Sequence, residues 1–260
     1  MSDPRLTPDP ALASQSRAAQ VAVPVADLCR RPDGPRDRQV LFGEQVTVLH
    51  EASGWAYVQA EKDGYCGYVL QRALSTTRRA THRVCVPATH AYTSADLKSP
   101  DLLSLSFGSP VTVIDETKNF AETPQGHIPR GHLAPIDRHE ADPAQIAALF
   151  LGTPYLWGGN SRWGIDCSGL VQAALLACGI PCPGDSDQQE GSVGAPVDGD
   201  YQRNDLMFWK GHVALVVDAE TMIHANAHAM AVSYENITDA IARIEAAGDG
   251  PVTAHRRPGV

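Results

Sequence analysis

The sequence predicts an α+β protein in which two small all-β modules precede a domain of helices followed by an antiparallel sheet. Three observations lead there. Two segments of the first half repeat one pattern, the spacing of apolar residues turns helical near residue 138, and the last third returns to short apolar strands.

The repeat joins "LFGEQVTVLHEASGWAYVQAEKDGYCGYVLQRAL" to "LSFGSPVTVIDETKNFAETPQGHIPRGHLAPI". At an offset of 65, Phe42 and Gly43 answer Phe107 and Gly108, Val46 and Val48 answer Val111 and Val113, and Trp55 answers Phe120. Each copy holds short alternating strands broken by Gly, Asp and Asn, which suits a small barrel. The division expected is an N-terminal extension over 1–19, β modules over 20–79 and 80–137, and an α+β domain over 138–260.

In the last of these, Asp142 is placed to cap a helix with Pro143 at its first position. Ile146, Leu149 and Phe150 give it one apolar face before Gly152 and Pro154 stop it. A second helix is expected from Cys167 to Cys178, with Leu170, Val171, Ala174 and Leu175 on one side, Cys178 on the buried face and Gly179 as its stop. The stretch "GDSDQQEG" reads as a short helical turn. Three strands follow in "LMFW", "HVALVVD" and "MIHANA", then a helix carrying Ile237, Ile241 and Ile244, and a last strand in "PVTAHR".

Composition bounds the function. Of the 260 residues 43% are apolar, and no apolar run approaches the ~20 residues that cross a bilayer. The N-terminal twenty residues have neither a basic region nor an apolar core, so the expected compartment is the cytoplasm. A formal charge of −9 without a Lys/Arg run excludes a nucleic-acid or anionic-membrane surface. In a reducing compartment the six cysteines are thiols rather than bridges.

One of them is placed for chemistry. Cys167 falls in the first turn of its helix, where unpaired N–H groups and the helix dipole favour a thiolate, with Asp166 as N-cap and small Ser168 and Gly169 leaving room for a substrate. A thiolate needs a proton shuttle. His212 opens a strand, and His224 lies twelve residues on. If Asp218, Ala219 and Glu220 form a three-residue hairpin loop, Ala214 lies opposite His224, and the two histidines project from one face as near-diagonal neighbours. A two- or four-residue loop would separate them. Zinc held by the same cysteine and histidines is the chemical rival, but no CxxC or HExxH spacing supports it. No metal or cofactor is expected.

The first β copy, with "FGEQVTVL", "GWAYV" and "GYCGYV", resembles bacterial SH3 domains, and the second does so more weakly. From residue 142 to 258, "YLWGG", "DCSGLV", "DLMFWKGHVALVVD" and "MIHA" resemble the NlpC-type cysteine peptidases, a papain-like family that cuts bacterial cell-wall peptides. With SH3-like modules in front, the whole is similar to the group that hydrolyses γ-D-glutamyl to diamino-acid bonds in murein peptides. The resemblance implies a catalytic Cys167, His212 and His224, and a free N-terminal L-alanine held by Tyr155, Asp166 and Ser168. An arginine that the family often uses for the D-glutamyl carboxylate is replaced here by Asp185 after Gly184, which leaves Ser186 and backbone donors as candidates. Glu44 and Tyr65 are the groups expected from the first β module if it closes the groove around the alanine. An acyltransferase or amidase on the same scaffold, or a wall-binding protein that is catalytically silent, are the alternatives. The diamino acid and the oligomeric state are not fixed by the sequence.

Overall fold

The computed structural model describes residues 3–259. They divide into two compact units, with the division between Arg138 and His139.

The first unit is built from two copies of one β module. In the first copy strands run over Arg17–Val21, Val25–Cys29, Arg36–Leu41, Gln45–Ala52, Trp55–Ala60 and Cys66–Leu70, followed by a 3-10 turn, Gln71–Ala73, and Leu74–Ser75. The second repeats that order from His82–Val84 to a 3-10 turn at Arg130–His132 and a closing strand, Leu133–Pro135. Its fourth strand is broken into Pro110–Val111 and Asp115–Glu116. The repeat extends to single hydrogen bonds: Phe42 N–H donates to Pro24 and Phe107 N–H to Pro87, while Gly43 and Gly108 donate to Val21 and Val84. Both glycines have left-handed backbone, φ +78° and +83°, so this turn selects glycine in both copies.

Alternation fills each core. Val46, Val48, Ala56, Val58 and Val69 are buried in the first. Val84, Ala91, Leu105, Val111 and Ile128 are buried in the second, where Phe42 joins them and Val113 is only partly covered. The described part of the N-terminal extension lies against the first module. Cys66 N–H donates to Arg5 O at 2.7 Å, Ser14 and Gln15 donate to Leu49 O, and Leu6 and Leu12 pack on its apolar clusters.

The second unit has four helices, α1 (Pro143–Ala148), α2 (Cys167–Ala177), α3 (Ser186–Ser192) and α4 (Ile237–Ala246). Its sheet has six antiparallel strands in the order Ala195–Pro196, Ala254–Arg257, Leu206–Trp209, His212–Val216, Thr221–Asn226 and Ala231–Asn236. Helices α1 and α2 lie against the two strands that carry His212 and His224. Met207, Trp209, Ala214, Val216 and Met222 share one alternation and pack with Ile237, Ala240 and Ile244 of α4.

Asp142 caps α1 as expected, accepting from Ala144 N–H at 3.2 Å. Leu170, Val171, Ala174 and Leu175 form the buried side of α2. One expectation fails there: Cys178 is not on the buried face but is the half-buried C-cap, one residue past the helix end. The strand Ala231–Asn236 escapes the sequence reading because Val232 is its one fully buried residue. Among the described residues no helix is long and apolar enough to cross a membrane.

Candidate active site

Cys167 is the first residue of α2 and is 7% exposed. Asp166 before it has extended backbone, and its side chain organises the turn. Oδ1 accepts from Gly169 N–H at 2.6 Å and from the Ser168 hydroxyl at 3.1 Å, and Oδ2 accepts from Gly158 N–H at 2.9 Å. One carboxylate therefore caps the helix and ties it to the "WGG" turn. Glycine is required in that packing, because a Cβ on Gly169 would sit 2.5 Å from the Gly159 carbonyl oxygen. Gln189 of α3, fully buried, donates from Nε2 to Ser168 O and Pro183 O, both at 2.9 Å, and fixes the same turn from the other side.

The histidines meet as the three-residue loop requires. Val217 and Asp218 donate to Thr221 O, Leu215 pairs with Ile223 and Val216 with Met222, so Ala214 falls opposite His224. His212 Nε2 and His224 Nδ1 are 2.9 Å apart. His224 is 1% exposed, and its other nitrogen, Nε2, is 2.9 Å from Glu235 Oε2. Arg243 of α4 then grips that carboxylate with two bonds of 2.8 Å. Both nitrogens of His224 are thus taken within the protein, which leaves neither for a metal.

Electrostatics follow from this packing. Burial, then the His224 and Arg243 charges, hold the His212 imidazole below its ordinary range, against an opposing pull from Glu235. Burial does the same to His224 and outweighs the upward pull of Glu235. The Arg243 guanidinium holds the Glu235 carboxyl below the usual carboxylate range despite its burial. Tyr155 is half-buried. Burial first, then the neighbouring Cys167 and Asp166, push its hydroxyl up, so it stays a proton donor at neutral pH. Tyr155 and His212 line a cavity of ≈ 460 Å³ together with Trp209, Lys210, His228 and Asp249. That volume is in the small-molecule range of ~300–1,000 Å³.

The other expected residues have clear surroundings. Ser186 is half-buried at the first position of α3, and Asp185, in the place of the absent arginine, forms a capping box with Gln188. In the first unit Glu44 accepts from Leu41 N–H at 3.0 Å and pairs with Lys62 at 2.9 Å, while Tyr65 is 3% exposed within the core. Both have structural duties inside their own module. Glu235, Arg243 and Gln189 were not singled out from the sequence. The alternation of Ser233 and Glu235 beside His224 was the available signal for Glu235.

Comparison with known proteins identifies the family. The family described as NlpC/P60 matches residues 152–246, and the bacterial dipeptidyl-peptidase Sh3 domain matches residues 28–74. The gamma-D-glutamyl-L-lysine dipeptidyl-peptidase of Bacillus subtilis (strain 168) is 31% identical over 230 residues, covering 78% of this chain and 76% of that protein. Dipeptidyl-peptidase 6 of Lysinibacillus sphaericus is 28% identical, covering 80% and 87%. The crystal structure of an NlpC/P60 family protein from Bacillus cereus ATCC 10987 has the same fold, with a TM-score of 0.78 at 23% identity over 93% of this chain and 99% of that one. A helix-capped cysteine, a coupled histidine pair and a relative matched over most of both lengths converge, and the chain belongs to the NlpC/P60 family of cysteine peptidases.

Proposed function

We propose that this peptidase hydrolyses the bond between γ-D-glutamate and a diamino acid in murein-derived peptides that carry a free N-terminal L-alanine, acting in the cytoplasm on peptides already released from glycan. The observation that carries the chemistry is the 2.9 Å contact between His212 and His224, on strands packed against α2. The name of the Bacillus subtilis relative, which specifies γ-D-glutamyl-L-lysine, supports the bond.

In this reading the Cys167 thiolate attacks the γ-glutamyl carbonyl. Its backbone N–H and the Tyr155 hydroxyl stabilise the oxyanion. His212 protonates the departing amine, then activates the water that resolves the thioester, while His224 supports the imidazolium that forms transiently. Asp166, Ser168 and Tyr155 hold the alanine ammonium, and Ser186 with nearby backbone donors takes the D-glutamyl carboxylate. Since the leaving amine must lie against His212, the cavity beside that ring receives the diamino acid. Its exposed Lys210 and Asp249 suit a carboxylate and a distal ammonium.

Incubating the full chain with L-alanyl-γ-D-glutamyl-L-lysine, with and without an added amine, and weighing the products tests this. The expected products are L-alanyl-D-glutamate and free lysine. An intact peptide, or an amine adduct as the main product, would overturn the assignment.

A further inference from the structure

Beyond the histidine pair, the second unit contains a chain of four polar groups, buried at His224 and half-buried at the others, that ends on a guanidinium: His212, His224, Glu235 and Arg243. We propose that Glu235, clamped by Arg243, is a positioning residue that locks His224, and through it His212, in the tautomer whose Nδ1 is bare. The proposal rests on His212 being the base of the reaction only for its kinetic consequence.

Arg243 has donors and no acceptor, and it binds both oxygens of Glu235, Nε to Oε1 and Nη2 to Oε2 at 2.8 Å each. That grip keeps the carboxylate ionised, so Oε2 only accepts, and the contact with His224 Nε2 at 2.9 Å requires the proton on Nε2. His224 is held neutral by burial, with Arg243 and His228 opposing its charge and Glu235 favouring it. Its Nδ1 therefore carries a lone pair and accepts from His212 Nε2–H. His212, also neutral, is left with an unprotonated Nδ1, the nitrogen needed to take a thiol proton. Without a fixed acceptor at Glu235 the same two rings can run the ladder in reverse, with Nδ1–H on both, and the base is lost.

Two variants separate this from a role in packing. Glu235→Leu removes the fixed acceptor, whereas Glu235→Gln keeps one, because an amide oxygen in the place of Oε2 accepts from both Arg243 Nη2 and His224 Nε2. Nitrogen-15 NMR of the histidine rings in the full-length protein should show His212 as the Nε2–H tautomer in wild type and in E235Q, and with an Nδ1–H population in E235L. In E235L kcat should fall with the share of Nδ1–H, with KM little changed, and E235Q should recover it. Thermal melting identifies a variant that fails to fold, and Glu235→Ala then serves as the second reading.

If His212 shows Nε2–H alone in E235L, or if E235Q loses that tautomer, the lock is overturned. A tautomer switch with unchanged turnover would uphold the lock and count against His212 as the catalytic base. Failure of this proposal and failure of the proposed function are thus distinguishable.

Discussion

His212 Nε2 lies 2.9 Å from His224 Nδ1 although twelve residues separate them, because a three-residue turn folds one strand back so that Ala214 faces His224. The contact unites two groups with unequal tasks. His212→Ala removes the acid and base together and should lower kcat on the order of 10²–10⁴-fold. His224→Gln should cost less, since its amide oxygen can still accept from His212. Equal losses in the two variants, measured as kcat on one peptide, would mean that His224 does more than orient.

The same pair sets a pH signature. His212 faces His224, Arg243 and Glu235, and His224 faces Glu235, Arg243 and His228, with burial the leading influence on both. Their imidazoles are held below the ordinary value near 6.5, so the neutral, basic form survives below that pH. The acid limb of kcat/KM should lie well under pH 6.5. Stability carries the same sign: the unfolded chain binds these protons first, so folding weakens as pH falls from about 6.5 toward the lowered folded-state values. Chemical denaturation at pH 7 and pH 5 should give the lower midpoint at pH 5, and H212A/H224A should flatten the difference.

At the start of α2, thiolate formation is favoured by the helix dipole at Cys167, the first helical residue. Iodoacetamide should therefore label Cys167 well below the pH at which an ordinary thiol with pKa ~8.5 reacts. Burial pushes the Cys29 and Cys66 thiols up, which makes them internal controls. Full peptidase activity in Cys167→Ala, or uniform labelling of all six cysteines across pH, would contradict the assignment.

What was legible in the sequence was local. The Asp166 cap, the glycine-rich turn and the hairpin spacing are each encoded within about a dozen residues, and they bring Cys167, His212 and His224 into view. Glu235 and Arg243 were not legible because they depend on the strand Ala231–Asn236, whose mixed pattern hides its period, and on how α4 packs across that strand. Cys178 was misread because the helix stops at Ala177, and its apolar character alone does not reveal a C-cap. Glu44 was read for its charge, whereas a turn N–H and Lys62 engage it.

A second buried polar centre supports the sheet. Asp205, fully buried, accepts from His255 at 2.7 Å and from Arg257 at 2.7 and 2.8 Å, which joins the last strand to the one before His212. Burial pushes its carboxyl up, but Arg257, the Gln202 N–H and His255 outweigh it, so the net shift is downward. Its contribution is present above the unfolded value near 3.8 and is lost as pH falls through the folded one. Asp205→Ala should destabilise the unit by about 2–4 kcal/mol in urea denaturation, by stranding the Arg257 guanidinium and the His255 ring. A loss under about 0.5 kcal/mol would show that the cluster is incidental.

Asp166 accepts from the Gly158 and Gly169 N–H groups and from the Ser168 hydroxyl, which places its side chain at the turn before Cys167. In the proposed reading a substrate ammonium beside Ser168 and Tyr155 donates to this side chain, whereas an acetylated nitrogen presents no cation and adds bulk. N-acetylation of L-alanyl-γ-D-glutamyl-L-lysine should cost about 2–4 kcal/mol, or ~30- to ~10³-fold in kcat/KM. Tyr155→Phe separates the two tasks of the tyrosine: a fall in kcat with KM unchanged assigns its hydroxyl to the oxyanion, and a rise in KM assigns it to the ammonium. Equal kcat/KM on free and acetylated peptide would remove the ammonium site and leave Asp166 as a helix cap alone.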